Sequence, residues 1–112
     1  MNLNFHQSLD EKCHRFLNAM EPGTVMAIHH HPTKDETVVI LRGRVAVTTY
    51  LDDGSVMVRV VLCHEEGCFG VNIPKNVWHT VECLESAVLF ECKEGPFVPH
   101  EQEGILEIAG RE

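Results

Sequence analysis

The sequence predicts an all-β fold, an antiparallel sandwich or small barrel preceded by one short helix. Three observations carry this expectation. From Gly23 onward the chain falls into short runs rich in Val, Ile and Thr, residues that pack well on a pleated surface. Turn signals separate these runs at close intervals, as in all-β domains. The 112 residues suffice for one core but not two, so the strands must pack on one another.

Taken in order, the chain opens with the expected helix. Ser8 and Glu11 have the spacing of a capping box, in which each side chain satisfies the other's free backbone N–H. Leu9, Cys13, Phe16, Leu17 and Met20 then recur at helical spacing and would form one apolar stripe. This places a helix over 8–20, ended by Glu21-Pro22-Gly23. The barrel core follows over 23–93, with strands at Thr24–His31, Glu36–Leu41, Val45–Leu51, Ser55–Leu62, Gly70–Ile73, Val77–Cys83 and Ala87–Cys92. Asp53-Gly54 between two alternating runs is a strong hairpin signal, because a type I′ turn needs positive φ at both central residues. Gly95-Pro96 breaks the pattern, and residues 94–112 read as an acidic, weakly periodic tail that could cover an edge.

Composition narrows the function classes. A formal charge of -8 argues against nucleic acid and against anionic membrane surfaces, both of which need basic patches. No apolar run approaches the roughly 18 residues of a membrane span. The N-terminus lacks the basic and apolar regions of an export signal, so a cytoplasmic protein is expected. Five cysteines without a framework-like spacing are expected to remain thiols in a reducing compartment. Eight histidines in so short a chain are a first hint of metal chemistry.

Strand geometry turns that hint into a site. Side chains alternate faces, so His29 and His31 point one way and His30 the other. Val25 and Ala27 share the parity of His29, which suggests that this face is the interior one. Pro32 to Asp35 make a short turn that brings the Glu36 carboxylate, at the head of the next strand, to the same point. Val77, His79, Val81 and Cys83 share a face of a later strand, and His79 can complete a set of three imidazoles and one carboxylate. Such donors suit a first-row transition metal such as Zn, Ni, Mn or Fe. Four protein ligands in an octahedral site leave two positions for water or substrate.

The spacing Gly23, His29-x-His31, Glu36, Gly43 resembles the first sequence motif of the cupin superfamily, with every named position filled. Gly67 through Pro74-Lys75-Asn76-Val77-Trp78-His79 resembles the second. There the Gly-to-Pro spacing is one residue longer, Asn76 replaces a usual glycine and Cys83 a usual asparagine. Asn tolerates the left-handed conformation, so Asn76 can still make the turn. The stretches CHRFLNAMEPGT, VVILRGRVAV, YLDDGSV, FGVNIPKNVWHTV and ECKEGPF look like the small WbuC-type cupin fold metalloproteins, over roughly Asn4 to Pro99. The resemblance implies a cupin-type jelly-roll barrel with His29, His31, Glu36 and His79 as metal ligands. It also implies a link to O-antigen and other surface-polysaccharide clusters. The terminal GILEIAGRE departs from the Trp-Ala-Pro tail usual in that family.

Other residues admit competing readings. Tyr50, Phe69, Glu91 and Phe97 are candidate pocket residues, with Trp78 and Lys93 beside them, since small-ligand pockets combine aromatic walls with few polar groups. Trp78 faces away from His79 by parity, which favours a core or interface role. Arg15 and Asn18 could reach a ligand across the barrel mouth. Cys63, Cys68, His79 and Cys83 have a zinc-finger-like spacing, but Pro74 and the β-forming valines between them oppose the helix a finger needs. Cys83 shares a face with His79 and reads as a core thiol before a nucleophile. Apolar residues on both faces of the early strands suggest a homodimer or the N-terminal helix as cover. The expected function is that of a metal-dependent enzyme, an isomerase or epimerase before an iron dioxygenase, acting on a small carbohydrate. A non-catalytic, metal-dependent sugar-binding or sensor module is the alternative.

Overall fold

The computed structural model describes residues 1–96 and the short strand at 105–106. These form β1 (Asn2–Asn4), β2 (Cys13–Met20), β3 (Ile28–His29), β4 (Glu36–Tyr50), β5 (Val56–Cys63), β6 (Gly70–Ile73), β7 (Trp78–Glu94) and β8 (Ile105–Leu106), with a 3-10 turn at His64–Glu66. The expected tail at 94–112 otherwise lies outside the described residues, and so does Phe97.

Two long strands make the spine. β4 and β7 pair antiparallel from Glu36↔Lys93 to Tyr50↔Trp78. β5 and β6 line the other edge of β4. β2 lines the other edge of β7 from Ala87 to Glu94, with β1 outside it. β3 joins β7 at His29↔His79, and β8 joins β3. The sheet closes as an antiparallel jelly-roll barrel. The strands expected at 36–41 and 45–51 are therefore one strand, as are those at 77–83 and 87–92.

The N-terminal helix is absent, and a strand stands in its place. The capping-box contacts do form: the backbone N–H groups of Gln7 and Ser8 both donate to Glu11 Oε2, and Asp10 N–H donates to Ser8 Oγ. They close a single turn. Beyond it Cys13–Met20 enters an eight-residue ladder with β7. In β2, buried His14 and Met20 and half-buried Phe16 and Asn18 alternate with exposed Cys13, Arg15 and Ala19. The apolar residues fall on both odd and even positions, Cys13 and Leu17 against Phe16 and Met20, so alternation does not mark this strand in the sequence. The free edge of β7 decides, because its backbone groups require partners.

The core comprises Met20, Val38, Ile40, Val45, Val47, Leu62, Ile73, Val81, Cys83, Ala87 and Leu89. Along β4 the inward parity switches from even (Val38, Ile40) to odd (Val45, Val47), through register shifts between Ile40 and Val45. The extra residues bend the strand, as β-bulges do. Gly43 sits at the bend with φ +83°, and a Cβ there would lie 2.0 Å from Ser86 O. Only glycine fits both the torsion and the space. The expected strand at Thr24–His31 shrinks to Ile28–His29. Val25 and Ala27 are exposed, and half-buried Met26 packs on the core instead.

Candidate metal centre

Four segments converge at one end of the barrel. His29 lies in β3, His31 just beyond it, Glu36 opens β4 and His79 is the second residue of β7. Backbone contacts fix their relation. His29 and His79 are register partners. Asn76 N–H donates to His31 O at 2.8 Å, and Asp35 Oδ1 accepts from Lys75 N–H at 2.8 Å. Asn76 adopts φ +66°, the left-handed conformation expected where cupins usually carry glycine. All four side chains are buried.

The ligating nitrogens of His29, His31 and His79 lie within 4.8 Å of one another. Glu36 Oε1 is 3.5 Å from His31 Nε2 and 3.2 Å from His79 Nε2. His29 Nδ1 donates to Ala27 O and His79 Nδ1 donates to Val77 O, each at 2.9 Å. A carbonyl oxygen only accepts, so Nδ1 carries the proton and, in the neutral ring, Nε2 presents its lone pair. Backbone partners of this kind orient metal-binding imidazoles.

The donor set fits a cation. His79 Nε2 is buried and lies 3.2 Å from the Glu36 carboxylate. A cation beside them would satisfy both the imidazole lone pair and the carboxylate, which without it must share a proton. Burial, and then neighbouring His79, push His29 down to about 4, and burial lowers His31 as well. Burial alone would raise Glu36. Hydrogen bonding with His31, then His79 and Glu91, overrides it and holds Glu36 well below the usual carboxylate range. These groups thus stand ready as neutral imidazoles and a carboxylate, the forms that ligate metals.

A cavity of about 210 Å³ opens beside the histidines. Its other polar lining is Asn2, Asn18, Glu91 and Lys93, and its apolar walls are Phe16, Met26 and Val81. Asn18 Nδ2 donates to Glu91 Oε2 at 3.0 Å. Burial, then the charge of Glu36 and a hydrogen bond shared with it, push Glu91 up to about 8. At neutral pH the pair therefore holds one proton, on Glu91.

The remaining candidates divide. Tyr50 is half-buried and lines a neighbouring cavity of about 300 Å³ with Thr48, Thr80 and Cys83, separated from the metal cavity by Met26 and Val81. Phe69 is 53% exposed and its ring packs edge-on to His64, away from the site. Gly70 follows it, and the Phe69 carbonyl accepts from Ile40 N–H, so only its backbone joins the barrel. Trp78 stacks on His30 with centroids 3.9 Å apart and donates to Asp52, facing outward as parity suggests. Buried Cys83 donates to the backbone carbonyls of Met20 and Glu85. Phe16, Met26 and Asn2 are lining residues that sequence reasoning misses: the segment of Phe16 reads as a helix, strand parity sets Met26 opposite His29 and His31, and Asn2 lies in a segment without a motif.

Fold and donor set together define a cupin-type jelly-roll protein with a three-histidine cluster able to hold a metal. Its sequence belongs to the family described as Domain of unknown function (DUF6016), whose model matches residues 1–62. The capsular polysaccharide assembling protein CapF of Staphylococcus aureus superposes with TM-score 0.71 at 17% identity, over 94% of this chain and 28% of CapF. A protein of Bacillus halodurans gives TM-score 0.66 at 18% identity, covering 85% and 70% of the two chains. A cupin superfamily protein of Desulfitobacterium hafniense gives 0.67 at 13% identity, covering 84% and 75%. The chain thus spans little more than a quarter of the length of CapF. No curated protein sequence matches it. Among the described residues no helix is long and apolar enough to cross a membrane.

Proposed function

We propose that this chain is a metal-dependent enzyme acting on a sugar or nucleotide-sugar in surface-polysaccharide biosynthesis, in the manner of the WbuC-type cupins it resembles. The observation that carries the reading is the buried His79 Nε2 facing the Glu36 carboxylate within the three-histidine cluster. His29, His31, Glu36 and His79 would hold a divalent transition metal, Zn, Ni, Mn or Fe, which supplies Lewis acidity toward a carbonyl or hydroxyl oxygen. The chain's own residues do the rest. Glu91 holds a proton at the cavity wall and can pass it to a ligand oxygen, and Asn18 fixes the orientation of that carboxyl. Proton transfer of this kind suits an isomerase or epimerase.

The cavity volume sets the ligand size. At about 210 Å³ it is below the roughly 300–1,000 Å³ of sites that enclose drug-sized molecules, so one sugar ring is the reacting part and any nucleotide lies outside. Amide, carboxyl and ammonium groups around the rim match a hydroxyl-rich ligand. The capsular role in the description of CapF supports the same pathway class. A cytoplasmic homodimer completes the reading. Its cover would be the exposed apolar edge at Val56, Met57 and Val58 of β5.

Metal analysis of the purified protein, followed by screening of nucleotide-sugars for turnover and binding, tests the proposal. The expected result is one metal per chain, lost in His79→Ala, and turnover of a sugar substrate. Metal retained at full stoichiometry in His79→Ala would overturn the site. Ligand binding without turnover would replace the enzyme by a sugar-binding module.

A further inference from the structure

Cys13 is the first residue of β2 and Cys92 lies near the end of β7. In the antiparallel ladder Cys13 stands opposite Glu94 and Arg15 opposite Cys92, so the two cysteines are diagonal neighbours on one face. Their Sγ atoms are 3.6 Å apart, in contact. This face is the outer one, since Phe16, Asn18, Glu91 and Lys93, of opposite parity on the same strands, line the metal cavity. Cys13 is exposed and Cys92 half-buried. The ladder end is held by the hydrogen bond from Gly95 N–H to Lys12 O at 2.9 Å. The sulfurs are therefore kept together by two paired strands.

We propose that Cys13 and Cys92 form a reversible dithiol–disulfide site whose oxidant is a hydroperoxide. Cys13, open to solvent, meets the oxidant. Its thiolate attacks one peroxide oxygen and the O–O bond breaks. Cys13 becomes a sulfenic acid, and the departing hydroxide takes a proton to form water. Cys92 Sγ then attacks the Cys13 sulfur. The S–S bond forms, the S–O bond breaks, and a second water leaves with the Cys92 thiol proton. Two thiols lose two electrons and two protons, and hydrogen peroxide becomes two waters.

The surroundings assign the two roles. Burial and the neighbouring Cys13 push the Cys92 thiol up, which suits the resolving partner better than the attacking one. Cys63 and Cys83 are buried, and Cys83 is engaged with two carbonyls, so peroxide reaches them less readily. A diagonal pair must draw together to bond, and strained, accessible disulfides are the labile ones. An external thiol should therefore reopen the bond.

The full-length reduced protein, treated with hydrogen peroxide and mapped by mass spectrometry, provides the test. Titratable thiols should fall from five to three, with peptides containing Cys13 and Cys92 joined within one chain, and dithiothreitol should restore them. Cys92→Ser should instead leave a sulfenic acid on Cys13 that dimedone traps. Cys13→Ser should slow thiol loss at least tenfold. Bonding between other cysteines, bonding only between molecules, or an unchanged rate in Cys13→Ser would each overturn the proposal. None of these readouts depends on the metal site.

Discussion

The shared proton of Glu36 and Glu91 makes a stability prediction with a definite sign. In the metal-free protein Glu91 is held up to about 8, against an ordinary value of 4.5. Between pH 6.5 and 8 the folded chain therefore holds a proton that the unfolded chain has already lost. Stability must fall as pH rises through this window. Over about 1.5 pH units, at about 1.4 kcal/mol per unit, the loss is about 2 kcal/mol. With a urea slope of roughly 1–3 kcal/mol/M, the midpoint should drop by about 1 M. Urea titrations of the metal-stripped protein at pH 6.5 and 8 measure this, and Glu91→Gln removes the group while leaving the other titrating residues in place. The decline should vanish in Glu91→Gln. An equal decline in that variant, or none in the parent, would refute the shared-proton account. On the acid side the sign reverses. His29, held down to about 4, contributes stability that is present above pH 6.5 and is lost as pH falls toward 4.

Two backbone positions give further expectations. Gly43→Ala adds a Cβ 2.0 Å from Ser86 O at φ +83° and should cost about 3 kcal/mol or more, read as a lowered melting temperature. Asn76→Gly keeps the φ of +66° and should lie within about 1 kcal/mol of the parent, whereas Asn76→Val should destabilise by about 1–2 kcal/mol and loosen the turn that holds His31.

The barrel and its histidines were legible because both rest on short-range rules. Alternation along a strand puts His29 and His31 together, and the conserved parity from His79 through Val81 and Cys83 marks a core face. The same rule carried further along β7 reaches Ala87, Leu89 and Glu91, so Glu91 was readable as inward once the strand was taken as continuous. Glu85-Ser86, which reads locally as a turn, hides that continuity. What local rules cannot supply is pairing. Cys13–Met20 carries a valid helix start and a plausible helical stripe, yet a free strand edge elsewhere in the fold claims it. Phe69 failed for a related reason. An aromatic residue beside a motif glycine suggests a pocket wall, but the register of β6 turns its ring to solvent.

The site also explains a combination that would otherwise be costly. Two carboxyl groups and three imidazoles are buried together, and two ionised carboxylates in contact away from water repel each other strongly. Holding the proton on Glu91 removes that repulsion while Glu36 keeps its charge beside His31 and His79. The donors are fixed at the same time, since Ala27 and Val77 orient two rings and Asn76 clips the His31 backbone to the second motif. The geometry of the cluster is thus set by backbone contacts. A dication entering beside Glu36 would supply the positive charge that the Glu91 proton supplies without it, leaving Glu91 able to give that proton up. The same carboxyl that stabilises the metal-free barrel is in this way prepared to exchange a proton with whatever enters the cavity.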